Sequence, residues 1–258
     1  MIFTREGPKM TMRLTFLAIP LLALAACGGG AKDANSSAPA APVAAVAPPA
    51  GQQWTDVVAK TPEGGYRMGN PDAPIKLVEY GSRLCPTCGN FGRTGQEPLE
   101  NNYVKTGKVS YEFREFLVHG APDIPGALLG RCAGPGPFFP LLEAMFQNQE
   151  GLEKKLADTD ATTALQRSLV GAPPNKVANA WADYLGYIDF VKQRGIPEAK
   201  ARACLNDSKD LDQITKVMQD ASQNKGVTGT PTFFLNGEQL QNVFTWEGVE
   251  ARLKAAGA

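Results

Sequence analysis

Histidine and net charge are what this sequence most clearly lacks. Of its 258 residues only His119 is a histidine, and 26 Lys and Arg residues balance 26 Asp and Glu residues. Because proteins that bind nucleic acid carry a basic excess that neutralises phosphates, the balanced charge argues against a nucleic-acid partner. The length allows one large or two small domains, and a hydrophobic content of 43% is sufficient for a buried core.

The apolar run near the N-terminus is too short to cross a membrane. It covers Leu14–Ala26, which is 13 residues, whereas a membrane-spanning helix needs about 20. A run of this length is typical of the apolar part of a signal peptide. We therefore expect residues 1–26 to be an export signal, and the sequence does not distinguish Met1, Met10 and Met12 as starts of translation.

The five cysteines, an odd number, are Cys27, Cys85, Cys88, Cys132 and Cys204. The first ends the segment Leu24-Ala25-Ala26-Cys27, which resembles the lipobox of bacterial lipoproteins, where the cysteine is acylated and becomes the new N-terminus. Ordinary cleavage after Ala25 or Ala26 is the alternative, but it would leave an unpaired thiol in an oxidising compartment. Lipidation of Cys27 leaves four cysteines. The next residue is Gly28 and not Asp, which resembles the signal for an outer-membrane destination.

Residues 27–53 differ in composition from the rest of the chain. Between residues 31 and 50, 13 of 20 residues are Ala or Pro. Such a stretch buries too little apolar surface to offset the entropy of ordering. Pro-rich chain favours an extended form of about 3.1 Å per residue, so this lipidated tether could reach ~80 Å. A folded domain without internal repeats is expected over residues 54–258.

A strand that runs into a C-x-x-C motif is the main chemical signal. Ile75–Tyr80 has the short, apolar, β-branched character of a buried strand. It is followed by Cys85-Pro86-Thr87-Cys88, in which Pro86 suits the first turn of a helix, and that helix is predicted to continue toward Thr106-Gly107. Cys85 would then lie at the positive end of the helix dipole, where a thiolate is stabilised.

A lone C-x-x-C motif has two other interpretations. Zinc needs four ligands, and the sequence offers no second C-x-x-C and no cluster of histidines. A structural disulfide that closes so short a loop would add little stability. Redox chemistry of Cys85 and Cys88 is therefore the favoured interpretation.

These residues resemble the active site of the thioredoxin superfamily, specifically its DsbA-like branch of exported thiol–disulfide oxidoreductases. In that superfamily an acidic residue six positions before the first cysteine is buried behind the disulfide and relays protons, and Glu79 has this position. Gly226–Gly237 resembles the segment whose cis-proline faces the cysteines and opens a hairpin. The resemblance implies that Pro231 is this proline and that the backbone of Thr230 pairs with an extended substrate. A trans proline before an edge strand is the alternative.

The remaining pattern fits an α/β protein, namely a thioredoxin fold with an inserted helical domain. Val109–Phe116 is predicted to be a second core strand, residues 122–225 are mainly helical in pattern, and strands are predicted again at Thr232–Leu235 and Val243–Trp246. Asp210 with Gln213 resembles a helix capping box, and Gly226 suits the end of that helix. Arg83 and Lys192 are expected to be solvated. Six aromatic residues are expected to pack rather than to form a ligand site: Phe138, Phe139, Phe146, Trp181, Tyr184 and Tyr187.

Two departures from the DsbA pattern bear on the direction of the reaction. The residues between the cysteines are Pro86-Thr87, whereas strong oxidases commonly have Pro-His, and Thr87 brings no positive charge to Cys85. The residue before the cis-proline is Thr230, as in the disulfide isomerases of this superfamily. Those isomerases have an N-terminal dimerisation domain, which residues 28–53 are too short to form. We expect an oxidase-like monomer, with isomerase and reductase as alternatives.

The implied reaction passes through a mixed disulfide on Cys85 and needs no cofactor and no metal. The expected partners are unfolded or misfolded exported proteins, a membrane redox partner protein, and the lipid bilayer through acylated Cys27. The expected location is the periplasmic face of a bacterial membrane, the outer membrane rather than the inner. A lipid-tethered peptide-binding module with a permanent Cys85–Cys88 disulfide is an alternative of a different class.

Cys132 and Cys204 are expected to form a structural disulfide within the helical insert. Lipidation and the active site account for the other three cysteines, and an exported protein seldom keeps two spare thiols. Both residues lie in predicted helices. Two buried free cysteines that pack as small apolar residues are the alternative.

Overall fold

The structure, a computed structural model, describes residues 40–258, so the expected signal peptide, Cys27 and the start of the tether lie outside it. The strands are β1 Val58–Lys60, β2 Tyr66–Met68, β3 Ile75–Gly81, β4 Val109–Glu115, β5 Thr232–Leu235 and β6 Glu238–Gln239. The helices are α1 Pro86–Asn102, α2 Asp123–Cys132, α3 Pro135–Gln147, α4 Gln149–Leu156, α5 Thr159–Ser168, α6 Pro174–Leu185, α7 Tyr187–Lys192, α8 Glu198–Leu205, α9 Ser208–Asn224 and α10 Trp246–Ala255. Short 3-10 turns occur at Trp54–Asp56 and Val104–Thr106.

The six strands form one mixed sheet in the order β1-β2-β4-β3-β5-β6. At its centre β3 is parallel to β4 and antiparallel to β5. Apolar side chains of α1, α3 and α10 pack in the core on one face of the sheet, while α9 contributes Val217 and Ala221 to the core on the other. Both faces of β3 are therefore covered, which explains why most side chains of Ile75–Tyr80 are apolar.

Three of the four predicted strands are confirmed and the fourth is wrong. Val243–Trp246 does not form a strand, because Thr245 caps α10 by accepting a hydrogen bond from the backbone of Gly248. The hairpin partner of β5 is instead β6. The two strands are joined by Asn236-Gly237, which both have positive φ, as a two-residue hairpin turn requires.

The predicted helical insert is confirmed as α2–α9, between β4 and β5. It has its own apolar core around Trp181 and Tyr187, whereas Phe138, Phe139 and Phe146 of α3 pack into the main core. These aromatic residues therefore join the insert to the sheet.

The cap of α9 differs from the predicted capping box. Asp207 is the N-cap and accepts hydrogen bonds from the backbone of Lys209 and Asp210. The Asp210 side chain instead receives two hydrogen bonds of 2.7 Å from the guanidinium of Arg131. Such a paired, charge-assisted contact is stronger than a cap bond, and it ties α9 to α2.

A disulfide joins Cys132 at the end of α2 to Cys204 in α8. Their Cα atoms are 5.8 Å apart and 72 residues separate them in sequence. In the chain-entropy treatment a loop of this length stabilises the folded state by about 4 kcal/mol. The bridge connects two helices of the insert and leaves Cys85 and Cys88 as the free thiols among the described residues.

The described part of the Ala/Pro-rich segment lies along the domain. The backbone N–H groups of Ala40 and Val43 donate to the carbonyls of Ala255 and Gly257, and that of Val46 donates to Thr106. These contacts make residues 40–50 part of the folded unit, although the composition predicted a free tether up to residue 53. No helix within residues 40–258 is long and apolar enough to span a membrane.

Candidate active site

Cys85 and Cys88 lie where β3 ends and α1 begins. Cys85 is the N-cap of α1 and Pro86 occupies the first turn, as predicted. A tight turn precedes them, in which the Cys85 N–H donates to the Ser82 carbonyl at 3.2 Å. Cys88 is fully buried and Cys85 retains 7% exposure. Cys85 is therefore the more accessible sulfur, but it is far less exposed than a free surface nucleophile.

The environment of Cys85 favours the thiolate. Its pKa is lowered to about 5, chiefly by a hydrogen bond from the Cys88 thiol, against the opposing effect of burial. The hydroxyl of Thr230 and the backbone N–H groups of Cys88 and Thr87 lower it further. These donors replace the positive charge that Thr87 lacks.

Cys88 has the opposite tendency. Burial raises its pKa well above the usual value, and the hydrogen bond to Cys85 and the charge of Glu79 raise it further. At neutral pH the reduced site therefore holds one thiolate and one thiol. This is the arrangement of a nucleophile beside a proton-carrying partner.

Glu79 is fully buried in the central strand β3. Burial raises its pKa to about 8, although a hydrogen bond from the Tyr111 hydroxyl at 2.5 Å to Oε2 lowers it. Its Oε1 has no hydrogen-bond partner among the described residues. A carboxyl group that titrates near neutral pH can take up and return a proton.

Thr230 and Pro231 face the cysteines across the site. The peptide bond between them is cis, and the Cys85 thiol lies 3.3 Å from the Thr230 carbonyl. The Thr230 carbonyl can accept a hydrogen bond from the Cys85 thiol. The Thr230 hydroxyl is buried and has no other partner among the described residues, so it can donate to the Cys85 thiolate. A groove of about 260 Å³ runs from here past Phe244, an exposed aromatic side chain.

Arg83 is buried, not solvated as the sequence suggested. It is 2% exposed, and its guanidinium donates to Glu115 Oε1 at 2.7 and 3.1 Å. The guanidinium also lies against the rings of Phe113 and Phe138. Glu115 could have indicated this burial from the sequence, since a charge at the end of a buried strand requires a partner of opposite sign.

A second polar network involves His119, which the sequence did not assign to the site. Ser82 donates through its hydroxyl to Asp123 at 2.7 Å, and Asp123 also accepts from the His119 backbone at 2.7 Å. Asp123 raises the pKa of His119, and the charge of Cys85 contributes. A protonated His119 and the Cys85 thiolate would therefore stabilise each other.

Within residues 40–258, no three His, Cys, Asp or Glu side chains lie together as they would around a metal ion. A zinc site built on Cys85 and Cys88 would thus lack further ligands in the described part of the chain.

A strand, a C-x-x-C turn, a helix and an opposed cis-proline together define a thioredoxin-fold protein with a dithiol site. A thioredoxin family model matches residues 61–255, and the chain belongs to this family. The matched range includes Glu79, Cys85, Cys88 and Pro231.

Named relatives share the same region. "Disulfide bond formation protein D" of Bacillus subtilis is 21% identical over 208 residues, which cover 79% of this chain and 82% of that protein. A protein of Rickettsia bellii, provisionally named as a protein-disulfide oxidoreductase, is 26% identical over 72% of this chain. This chain spans about 60% of the length of the Rickettsia relatives that it matches.

Solved structures agree on the fold. A protein-disulfide isomerase from Novosphingobium aromaticivorans is 27% identical, with a TM-score of 0.68 over 72% of this chain and 94% of that one. BdbD from Bacillus subtilis has a TM-score of 0.54 at 20% identity, over 74% of this chain and 92% of that one.

The hydrogen bond from Cys88 is predicted to be the main cause of the low pKa of Cys85. In reduced protein the pH midpoint of Cys85 alkylation, followed by mass spectrometry of its peptide, should lie near 5. Cys88→Ser keeps a donor and should keep a low midpoint. Cys88→Ala removes the donor and should raise the midpoint by about one to two pH units, since a hydrogen bond to a charged group contributes about 1.5–3 kcal/mol. Equal midpoints in the two variants would assign the effect to the backbone of α1 instead.

Tyr111→Phe is predicted to raise the pKa of Glu79 above about 8, because it removes the larger of two hydrogen bonds that favour the carboxylate, the other being from Cys88. The measurement is the rate at which Cys88 displaces a coloured thiol from a mixed disulfide on Cys85, as a function of pH. Its midpoint should move upward in this variant, and Glu79→Gln should slow the step and remove that midpoint.

Tyr187→Phe is the matched control for this prediction. Tyr187 is also a fully buried tyrosine, but its hydroxyl has no hydrogen-bond partner among the described residues. Its loss should leave the midpoint in place. A common shift in both tyrosine variants, or none in either, would remove Glu79 from the displacement step.

Proposed function

We propose that this protein is an exported thiol–disulfide oxidoreductase that exchanges disulfides with extracytoplasmic proteins through Cys85 and Cys88. The observation that carries the proposal is the opposite pKa shift of two thiols in one turn, lowered at Cys85 and raised at Cys88. A plain structural disulfide needs no such difference. The names of the relatives in Bacillus and Rickettsia support the same activity.

The oxidising direction begins with the Cys85–Cys88 disulfide. A substrate thiolate attacks Cys85 Sγ, a mixed disulfide forms, and Cys88 leaves and takes up a proton, which Glu79 can supply. A second substrate thiolate then attacks the substrate sulfur and releases Cys85 as a thiolate. The substrate loses two electrons and gains a disulfide, while the protein becomes the dithiol.

Stability of the released thiolate favours this direction. A thiolate with a pKa of about 5 is a good leaving group and stabilises the reduced form of the protein, which makes its disulfide a stronger oxidant. A DsbA-like oxidase is therefore the first candidate. A membrane redox partner protein would then take the electrons and regenerate the disulfide.

Disulfide isomerase is the second candidate. Thr230 precedes the cis-proline as it does in isomerases of this superfamily, and a solved relative at 27% identity is named as a protein-disulfide isomerase. In either direction Thr230 and Pro231 would hold an extended segment of an unfolded or misfolded substrate beside Cys85. A binding module without catalysis would use the same groove.

The reduction potential of the Cys85/Cys88 pair, measured against glutathione, is the test. A value above about −150 mV is expected for an oxidase, a value near −270 mV indicates a reductase, and a pair that resists reduction below about −300 mV is structural. Reduced and scrambled ribonuclease as substrates separate oxidase from isomerase. Cys85→Ser serves as the inactive control, and activity that survives this change would refute the proposed chemistry.

We also propose that Cys27 carries lipid and holds a monomeric domain at the periplasmic face of a membrane, the outer one in preference. The support is the segment Leu24-Ala25-Ala26-Cys27 and the residue Gly28. Detergent should be required to extract the protein from membranes, because a multiply acylated chain is firmly anchored. Cys27→Ser should release it into buffer, and a wild-type protein that washes off without detergent contradicts the anchor.

A further inference from the structure

Gln149, the first residue of α4 in the helical insert, contacts the turn at residues 82–85 that carries Cys85. It is 1% exposed, and its Nε2 donates to the Cys85 carbonyl at 2.8 Å and to the Arg83 carbonyl at 3.2 Å. Its Oε1 accepts from Arg93 Nη1 at 3.4 Å. Both donors of the amide are thus used on the segment that carries the nucleophilic sulfur.

The space for this amide is provided by Gly89, which follows Cys88. A Cβ atom at Gly89 would lie 1.9 Å from Gln149 Oε1, a distance that no side chain tolerates. The helix that bears the cysteines therefore approaches Gln149 as closely as its backbone allows. This close packing is an observation independent of the hydrogen bonds.

The two carbonyls differ in how much they depend on Gln149. The Cys85 carbonyl also accepts the first helical bond of α1, from Gly89 N–H at 2.9 Å. The Arg83 carbonyl accepts no other hydrogen bond from the described residues. Loss of the Gln149 amide would leave a buried carbonyl unpaired, which is costly, so the turn would rotate to recover a partner.

We propose that Gln149 is a positioning residue that holds the carbonyls of Arg83 and Cys85 away from the Cys85 sulfur and keeps the N–H groups of Thr87 and Cys88 directed at it. A rotated turn would bring a carbonyl dipole toward the sulfur and weaken both N–H contacts. Gln149 acts through the backbone of Cys85 and contacts no reacting atom. The inference rests on the dithiol chemistry proposed above, of which it specifies one cause.

The variants Gln149→Leu and Gln149→Glu test it in the full-length protein. Leu keeps the approximate volume and removes both donors, and Glu places a negative charge against two carbonyls. The pH midpoint of Cys85 alkylation should rise in Gln149→Leu and rise further in Gln149→Glu. The equilibrium constant for oxidation of substrate thiols, measured with glutathione, should fall about two- to tenfold in Gln149→Leu, the range expected for one neutral hydrogen bond. Gln147→Leu, on an exposed glutamine at the end of α3, is the matched control and should change neither value.

A purely structural role predicts a different result. It would lower the free energy of unfolding of the oxidised and reduced forms equally, and the alkylation midpoint and the glutathione equilibrium would stay unchanged. That outcome overturns the proposal. Should Gln149→Leu fail to fold, Gln149→Asn keeps a polar amide but shortens the side chain and withdraws its donors from both carbonyls, and it should raise the midpoint in the same direction.

The result also separates this inference from the proposed function. A raised midpoint in Gln149→Leu, together with a wild-type protein that fails to oxidise or isomerise ribonuclease, keeps the role of Gln149 and rejects the enzyme. An unchanged midpoint in Gln149→Leu, together with a wild-type protein that is active, keeps the enzyme and rejects the role of Gln149.

Discussion

One buried site holds three acidic groups, namely the thiols of Cys85 and Cys88 and the carboxyl of Glu79. Burial allows these groups little negative charge. Burial raises the pKa of Glu79 and Cys88, while hydrogen bonds chiefly from Cys88 lower that of Cys85. One charge on Cys85 is therefore the preferred state near neutral pH. Charge at Cys85 and charge at Glu79 disfavour each other, and in the proposed reaction this would couple opening of the disulfide to proton transfer.

The scaffold around the site keeps other charges neutralised. Arg83 and Glu115 form a buried pair next to the turn that precedes Cys85, and loss of either partner would leave a buried charge uncompensated. Asp123 is likewise surrounded by donors from Ser82 and His119. These pairs connect the ends of β3 and β4 to the start of the insert, so the insert contributes to the electrostatics of the site and not only to its shape.

Local pattern predicted the elements that local pattern specifies: the strand Ile75–Tyr80, the helix that starts at Pro86, and the helical stretch between β4 and β5. Two features escaped because they depend on partners distant in sequence. Arg83 is buried only because Glu115 lies beside it, 32 residues along the chain. Gln149 acts on Cys85 across 64 residues. The false strand at Val243–Trp246 shows the converse, since a single cap from Thr245 outweighs the β-branched and aromatic character of the segment.

The hydrogen bonds that join Ala40 and Val43 to the C-terminal end of the chain, and Val46 to Thr106, change the geometry of the proposed anchor. With Cys27 in the bilayer, only residues 28–39 remain to bridge the gap, about 40 Å in an extended polyproline form. The domain would then stay within this distance of the membrane surface and would not reach the rest of the compartment. Its effective concentration would be high for polypeptides that emerge at that surface or pass along it, and low for polypeptides released beyond it. The length of the tether would thus limit which substrates the domain meets, independently of the side chains that bind them.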